Sequence, residues 1–561
     1  MGRNVAIGIQ NFSELIEKNY FYVDKTAFIK EWWDSGDSVT LITRPRRFGK
    51  TLNMSMVEQF FSLEYADRGD LFEGLSIWED EEYRKIQGTY PVISLSFANI
   101  KEKTYAMARR KICQMLTDLY ADYAFLLDCD VMEASDRDFF HRVSVDMGDV
   151  EATLALHNLS KYMSRYYGKK VIILLDEYDT PMQEAYVDGF WDDLVGFTRN
   201  LFNSTFKTNP YLDRAIMTGI TRVSKESIFS DLNNLEVVTT TSDKYATSFG
   251  FTEEEVFAAL EECNLSEEKE EVKRWYDGFI FGTHKDIYNP WSILNFIDKR
   301  TYGTYWANTS ANSLVGKLLR EGDRRIKEKF ETLIEGGVIQ SPIDEQIVYN
   351  QLRGGEGPIW SLLLASGYLK VLSYESILES ANPKYTLTLT NWEVRLMFQN
   401  MIRNWFMDAE GDYNDFIQAL LLGDVDAMND YMNNVALSVF SYFDTGKQPS
   451  GERPERFYHG FVLGLIVELQ DRYVVRSNRE SGFGRYDVVL EPKNPAQDDA
   501  FILEFKVFNP RKEENLSEAV ASALAQIEEK QYEAELVSRG ISPEKIRKYG
   551  FAFEGKKVLI G

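Results

Sequence analysis

The sequence predicts an α/β multidomain protein with a parallel sheet covered by helices, a mainly helical middle region and a small C-terminal α/β domain. The chain of 561 residues is too long for one hydrophobic core. Apolar runs alternate with helical stretches, as in a parallel sheet, at 38–43, 91–97, 170–175, 214–220 and 236–240. The C-terminal part instead predicts a helix at 457–470, a hairpin at 485–507 and a helix at 515–538.

The composition favours a soluble protein in a reducing compartment. No run reaches the roughly 18 apolar residues of a membrane span, and the N-terminus lacks the apolar core of an export signal. Cys113, Cys129 and Cys263 are too widely spaced to suggest a disulfide framework. We therefore expect a cytoplasmic protein without a membrane partner. The formal charge of -25 lies mostly in the first 440 residues, which leaves a basic groove for nucleic acid open only in the nearly neutral C-terminal part.

An arginine-rich loop follows the predicted strand 38–43 and precedes a predicted helix. Its sequence, RPRRFGKT at 44–51, aligns with the pattern G-x-x-x-x-G-K-[ST]. In that pattern backbone N–H groups surround phosphate oxygens, the lysine neutralises the β- and γ-phosphates, and the hydroxyl binds Mg²⁺. Lys50 and Thr51 fit the last two roles, whereas Arg44 replaces the first glycine. A solvated helix start is the alternative interpretation.

Two acids at the end of another apolar strand give this loop a partner. The run 171–175 (VIILL) is followed by Asp176 and Glu177. At the carboxyl end of a strand, Asp176 can hold a water bound to Mg²⁺, and Glu177 can polarise the attacking water. An exposed acidic turn is the alternative for the acids alone. Together with the lysine loop they favour a nucleotide site.

Further polar residues follow the next strands. Thr218 stands where ATPases with an additional strand place a γ-phosphate sensor, although a hydroxyl that satisfies the local backbone explains it equally well. Arg222 can stabilise charge in the transition state or pair with surrounding acids, and Asp179 is a turn residue or a helix cap. The residues predicted to contact the nucleotide are Arg46, Arg47, Phe48, Gly49, Lys50, Thr51, Asp176, Thr218 and Arg222.

A second cluster of charged residues lies near the C-terminus. In the strand 501–507 (FILEFKV), Glu504 and Lys506 share the face opposite the apolar side chains. Asp487 precedes them in a predicted hairpin, which can bring it beside Glu504. Two carboxylates can hold one or two Mg²⁺ or Mn²⁺ ions, and the lysine can activate water for attack on a phosphodiester. The alternative is an amphipathic edge strand with Glu504 and Lys506 in solvent.

The chain resembles the bacterial AAA-ATPase-like proteins that are fused to a nuclease-fold domain. The segments that carry the resemblance are YFYVDKT (20–26), RPRRFGKT (44–51), LLDEYDTP (174–181), TGITRVSKESIFSDLNNL (218–235) and WYDGF (275–279). The resemblance covers most of the chain and implies an ATP-binding domain followed by a helical lid. Arg44 agrees with this family.

The C-terminal cluster resembles the PD-(D/E)XK nuclease superfamily, which implies metal binding and catalysis by Asp487, Glu504 and Lys506. His459 stands where that superfamily often has an acid, and it is either a metal ligand or a residue of helix packing. Gln526 and Tyr532 resemble a glutamine–tyrosine element of some relatives. Because their spacing is loose, we interpret both as helix-surface residues.

These observations predict a P-loop NTPase sheet, a helical middle region and a restriction-endonuclease-like α/β domain. The predicted domains are an AAA-like ATPase (1–250), a helical lid (251–340), a mainly helical connection (341–445) and a nuclease-like domain (446–561). The predicted catalytic residues are Glu177, Asp487, Glu504 and Lys506, and the predicted metal ligands are Thr51, Asp176, Asp487 and Glu504.

The expected function is ATP binding and hydrolysis whose nucleotide state controls a metal-dependent nuclease acting on DNA or RNA. The alternatives are a nucleotide-switched scaffold that binds nucleic acid or protein without cutting it, and a slow switch that retains ADP. The oligomeric state stays open, a homo-oligomer included.

Overall fold

The computed structural model describes residues 3–561 apart from several segments and single positions. These are 222–227, 230–231, 308–314, 317, 319–323, 345–355, 376–383, 408–412, 440–461, 463–465, 467–468, 470–471, 478–479, 482–483, 486 and 555–556. His459 and Arg222 therefore lie outside the described residues, as does most of the predicted helix at 457–470.

A five-stranded parallel sheet forms the centre of the N-terminal region. Its strands are β1 (Val39–Thr43), β2 (Val92–Ser96), β3 (Val171–Asp176), β4 (Leu212–Gly219) and β5 (Leu235–Val238), in the spatial order β2-β3-β4-β1-β5. β1 and β3 are buried along their whole length, which accounts for their mainly apolar sequences, because helices cover both faces of a parallel sheet. The predicted sheet is confirmed.

Helices connect and cover these strands. They are Phe12–Glu17, Ala27–Ser35, Lys50–Phe61, Glu81–Ile86, Tyr105–Asp122, Ala134–Arg142, Asp149–Tyr167, Thr180–Asp188 and Trp191–Phe206. β4 pairs in parallel with both β1 and β3. The carboxyl ends of these three strands therefore meet at one edge of the sheet.

The chain then continues into further helices and two small antiparallel sheets. The helices are Glu253–Glu262, Lys269–Tyr276, Pro290–Lys299 and Glu356–Ala365. One sheet contains β6 (Phe251–Thr252), β7 (Phe279–Phe281) and β8 (His284–Tyr288), and the other contains β9 (Ile339–Pro342), β10 (Leu369–Glu375) and β11 (Lys384–Leu389).

The C-terminal region contains a mixed sheet. Its strands are β12 (Tyr473–Ser477), β15 (Val488–Pro492), β16 (Ala500–Val507), β17 (Ile546–Glu554) and β18 (Lys557–Ile560), and β13 (Glu480–Ser481) pairs separately with β14 (Gly484–Arg485). The antiparallel pair of β15 and β16 confirms the predicted hairpin, and β16 pairs in parallel with β17. This mixed sheet fits the predicted nuclease-like α/β domain.

Helices Arg324–Ile334, Trp392–Met407, Tyr413–Leu422 and Val425–Val439 precede this mixed sheet in the chain. The single helix predicted at 515–538 is wrong, because two helices, Leu516–Glu529 and Ala534–Ser538, occupy it. Gln531 between them has a φ of 52°, which no continuous right-handed helix allows.

The described chain forms two compact units, one of Met1–Arg320 with Gly336–Arg395 and the other of Glu321–Glu335 with Leu396–Gly561. Among the helices of the described residues, none combines the length and the apolar character needed to cross a bilayer.

Candidate functional site

The loop after β1 leads to a buried lysine. Lys50 is 4% exposed, and its Nζ donates to the carbonyl oxygens of Arg44 and Pro45, each at 2.9 Å. Burial lowers the pKa of Lys50, while nearby carboxylates act in the opposite direction. The ammonium group therefore lies inside the fold of the loop, beside a cluster of negative charge.

The backbone of this loop suits an anion. Arg47 and Gly49 both have left-handed conformations, with φ of 64° and 82°. Left-handed residues among right-handed ones turn successive N–H groups towards one concave surface, which binds anions. Lys50 begins the helix that follows, and the first amides of a helix have no carbonyl partner within it. This combination can bind phosphate oxygens.

Asp176 joins three elements at the edge where the strands end. Its Oδ2 accepts a hydrogen bond from Thr51 Oγ1 at 2.7 Å, and its Oδ1 accepts one from Thr218 Oγ1. Asp176 is 5% exposed. Burial raises its pKa, while the bonds from Thr218 and Thr51 lower it. The structure therefore brings the predicted metal ligands Thr51 and Asp176 together with the predicted sensor Thr218 beside Lys50.

The second predicted cluster lies at the hairpin of β15 and β16. Asp487 Oδ2 accepts a hydrogen bond from the backbone N–H of Phe505 at 2.9 Å, which holds it next to the strand of Glu504. Glu504 is 2% exposed, and Lys506 Nζ lies 4.0 Å from its Oε1. The interpretation of an edge strand with both side chains in solvent is therefore wrong for Glu504.

Gln526 connects this cluster to the following helix. Its Nε2 donates to Glu504 Oε1 and to Tyr532 Oη, the latter at 3.1 Å. Its Oε1 accepts a bond from Lys506 Nζ. Tyr532 is buried and Gln526 is half-buried, and Gln526 contacts the charged cluster, so the interpretation of these two residues as helix-surface residues is wrong.

Comparison with known families finds matches to two separate parts of the chain. The family described as "Predicted AAA-ATPase" matches residues 6–229, and the PD-(D/E)XK nuclease superfamily matches residues 453–561. The chain joins an AAA-ATPase-like domain to a PD-(D/E)XK nuclease superfamily domain. The resemblance found in the sequence is thereby confirmed.

A curated relative and a solved structure are similar over long stretches. The relative, an "Uncharacterized protein in vnfD 5'region" from Azotobacter chroococcum mcd 1, is 25% identical over 550 residues, covering 96% of this chain and 94% of the relative. The solved structure is a Signal Transduction ATPase with Numerous Domains (STAND) protein with a tetratricopeptide repeat sensor from Pyrococcus horikoshii. It is 14% identical with a TM-score of 0.24, and the match covers 80% of this chain and 54%, about half, of that structure.

The side chain of Arg44, in the AAA-ATPase-like domain, is buried and makes hydrogen bonds to backbone carbonyl oxygens. It is fully buried, and its guanidinium donates to carbonyl oxygens of Thr43, Thr239, Lys244 and Tyr245 at 2.6–3.4 Å. Burial lowers the pKa of Arg44 to about 9. The side chain in the first glycine position thus anchors the loop to the segment after β5.

The other loop residues differ in what their side chains contact. Phe48 is 1% exposed and packs edge-on against Phe279 and Phe281, at centroid distances of 4.8 and 5.3 Å. Only its backbone is therefore available to a nucleotide. Arg46 Nη2 donates to Gln183 Oε1 at 3.2 Å, and the guanidinium carbon of Arg47 lies 4.3 Å from the centre of the Trp291 ring.

The two acids after Asp176 have different environments. Glu177 has a φ of 51° and accepts a hydrogen bond from Thr180 Oγ1 at 3.2 Å. Asp179 Oδ2 accepts bonds from the backbone N–H groups of Ile220 and Thr221 at 3.0 and 2.9 Å. It makes no side-chain cap to the helix that follows, so its carboxylate fixes the end of β4.

The predicted metal ligands are a hydroxyl and a carboxylate at the nucleotide site, and two carboxylates at the C-terminal site. Among the residues that the structure describes, no group of three or more His, Cys, Asp and Glu side chains is placed to hold a metal ion. A metal at either site would therefore need oxygens from phosphate or water to complete its shell, as Mg²⁺ commonly does in phosphate chemistry.

Proposed function

We propose that this chain binds and hydrolyses ATP with Mg²⁺, and that its nucleotide state controls cleavage of DNA or RNA by the PD-(D/E)XK domain. The observation that carries the ATPase half is the hydrogen-bonded set of Thr51, Asp176 and Thr218 beside Lys50. These groups combine a phosphate-binding cation with oxygen ligands for a metal, which is the combination that phosphoryl transfer requires.

Each side chain then has one task at the nucleotide. Lys50 exchanges its bonds to loop carbonyls for bonds to the β- and γ-phosphates. Thr51 Oγ1 and Asp176 would hold Mg²⁺ and its water, and the ion would supply charge neutralisation at the phosphates. Glu177 accepts the proton of the attacking water, and Thr218 orients Asp176.

The nuclease half rests on the cluster around Glu504. Asp487 and Glu504 supply two carboxylates for Mg²⁺ or Mn²⁺, and Lys506 can orient or deprotonate a water for attack on the phosphodiester. Gln526 donates to Glu504 and accepts from Lys506, which keeps both side chains at the same place. A positioned acid and lysine support cleavage more than passive binding.

ATP hydrolysis is tested by phosphate release from the full chain. Lys50→Ala should abolish release, because the variant loses the cation at the phosphates. Lys85→Ala is the matched control, because Lys85 lies exposed and pairs with the equally exposed Glu81. ADP retention without release by the wild type would favour the slow switch. Equal release by wild type and Lys50→Ala would refute the assignment of the site.

Cleavage is tested with single- and double-stranded DNA and RNA, in Mg²⁺ or Mn²⁺, with ATP, with ADP and without nucleotide. Asp487→Asn keeps an oxygen for the Phe505 N–H but loses the charge, and should abolish cleavage. Glu544→Gln, at an exposed site on the same domain, should leave it unchanged. Nucleotide control predicts that ATP changes the wild-type rate but not that of Lys50→Ala. Binding of nucleic acid without metal-dependent cleavage would favour the scaffold.

A further inference from the structure

Residues 44–51, which follow β1, form the phosphate loop. Three successive carbonyl oxygens of this loop accept hydrogen bonds from different parts of the chain. Lys50 binds the oxygens of Arg44 and Pro45. The next oxygen, that of Arg46, accepts bonds from Trp306 Nε1 at 2.9 Å and from Asn289 Nδ2 at 3.2 Å. The middle of the loop is therefore fixed by residues far away in sequence.

Asn289 links this carbonyl to a helix. It is the N-cap of helix Pro290–Lys299, and its Oδ1 accepts from the backbone N–H of Trp291 at 2.9 Å. The ring of Trp291 lies 4.3 Å from the guanidinium carbon of Arg47, a favourable cation–π distance. The start of this helix therefore contacts both residues of the peptide bond between Arg46 and Arg47.

A buried acid holds the groups that contact the loop. Glu393 is fully buried. Its Oε1 accepts from the backbone N–H groups of Trp306 at 2.6 Å and Ala307 at 3.3 Å, and its Oε2 accepts from Ser292 Oγ at 2.8 Å. One carboxylate thus fixes the segment that carries Trp306 and the helix that Asn289 caps.

We propose that Trp306 and Glu393 are positioning residues that keep the phosphate loop in its nucleotide-binding conformation. In a trans peptide the C=O and N–H groups point in opposite directions, so a fixed Arg46 oxygen also fixes the direction of the Arg47 N–H. Arg47 needs this support because its left-handed φ of 64° is unfavourable for a residue with a side chain. The inference rests on the proposed nucleotide site.

Glu393 lies in a helix whose residues are divided between the two compact units. It lies in the first turn of helix Trp392–Met407, and the limit between the two compact units falls within that helix, after Arg395. A change at the start of this helix would act on Trp306 through Glu393, and hence on the loop.

The test measures binding of Mg²⁺ with ATPγS, and of ADP, to the full chain by isothermal titration calorimetry. Trp306→Phe removes the Nε1–H donor but keeps a ring against Phe279 and Tyr368. The variant should bind both ligands about tenfold more weakly, because the loss of a hydrogen bond lowers the population of the loop conformation that binds nucleotide. Glu393→Ala should weaken them at least as much.

Two controls separate positioning from general loss of structure. Glu393→Gln keeps acceptor oxygen for the two backbone N–H groups, and should bind within about threefold of wild type. Trp32→Phe also removes a donor from a buried tryptophan, whose Nε1 binds Thr40 Oγ1 at 3.2 Å, and should leave affinity unchanged. Thermal unfolding of each variant checks that it is folded.

Wild-type affinity in Trp306→Phe, or equal weakening in Trp32→Phe, would overturn the positioning role and leave the nucleotide site standing. A wild type that binds neither ligand would overturn the proposed function, and this inference with it.

Discussion

The charge on Asp176 lowers the stability of the fold but is needed for nucleotide binding, because folding buries a carboxylate that must be charged to hold a metal. Burial raises the pKa of Asp176 above its usual 3.8, and its hydrogen bonds from Thr218 and Thr51 offset this only in part. Between pH 3.8 and the raised value the folded state binds more protons than the unfolded one. The free energy of unfolding therefore falls as pH rises through that window, and stays lowered above it.

Asp176→Asn removes this cost. Asparagine offers one oxygen to accept from a threonine hydroxyl and one amide to donate to the other. We expect the free energy of unfolding to rise by about 1 kcal/mol near neutral pH, which corresponds to an increase in Tm of about 2–4 °C for a domain of this size. The gain should vanish towards pH 3.8, where both states become protonated.

Two measurements check this reasoning. Thermal unfolding followed by circular dichroism, near neutral and at acid pH, gives the stability, and calorimetry with ATPγS in Mg²⁺ or EDTA gives the metal-dependent part of binding. The variant should lose the gain in affinity that Mg²⁺ gives the wild type. A lower Tm at neutral pH, or an unchanged effect of Mg²⁺, would refute the argument.

Asp136→Asn is the matched contrast for stability. Burial raises the pKa of Asp136 too, but Lys161 and Arg165, at 2.7 and 2.9 Å, outweigh it and the net shift is downwards. A lowered pKa means that the charged form stabilises the fold above the usual pKa. Asp136→Asn should therefore lower the Tm near neutral pH, opposite in sign to Asp176→Asn.

Three further substitutions test other contacts. Gly278→Ala should lower the free energy of unfolding in urea by about 3 kcal/mol, because φ is 129° and a Cβ would lie 2.1 Å from the Thr390 carbonyl oxygen; an unchanged midpoint would contradict this. Arg44→Lys should cost about 2 kcal/mol in the same assay, since lysine cannot satisfy all the buried carbonyls; wild-type stability would show that they are dispensable. Gln526→Ala should reduce metal-dependent cleavage by roughly 10–100-fold, with the exposed Gln531→Ala as control; equal rates would remove Gln526 from the site.

The sequence is most informative where burial acts on a whole element. β3 is buried at every position, so its residues form one apolar run that ends at Asp176. The strand before the phosphate loop is buried throughout as well, and its sequence is mainly apolar. Because parallel strands share an edge for their carboxyl ends, the approach of Lys50, Asp176 and Thr218 follows from the strands alone.

Gln526 shows where sequence reasoning fell short although a signal existed. Its helix buries Ala519, Ala523 and Ile527, and Gln526 lies three residues after Ala523, at the border of that face. A polar residue at the border of a buried stripe needs a polar partner, and Glu504 and Lys506 supply it. That periodicity predicts a polar partner for Gln526 inside the domain.

Arg44 and Trp306 could not be assigned from sequence, because their partners are backbone oxygens distant in the chain. Arg44 reaches carbonyls of residues 239, 244 and 245, and Trp306 reaches that of Arg46. Backbone acceptors leave no trace in residue type, since any residue provides one. The side chains give no sign of which oxygens they contact.

Arg44 and Trp306 both hold the phosphate loop, but their loss should affect different measured quantities. Arg44 is buried, and the oxygens that it binds belong to Thr43 at the end of β1 and to the segment after β5. Its loss therefore removes a donor from buried carbonyls with or without nucleotide, and should act on unfolding. Trp306 binds one oxygen in the middle of the loop, so its loss should act mainly on how often the loop is competent to bind. If both substitutions changed stability and affinity in parallel, the loop would be one rigid unit with its surroundings, and control of nucleotide affinity through Glu393 would have no element to act on.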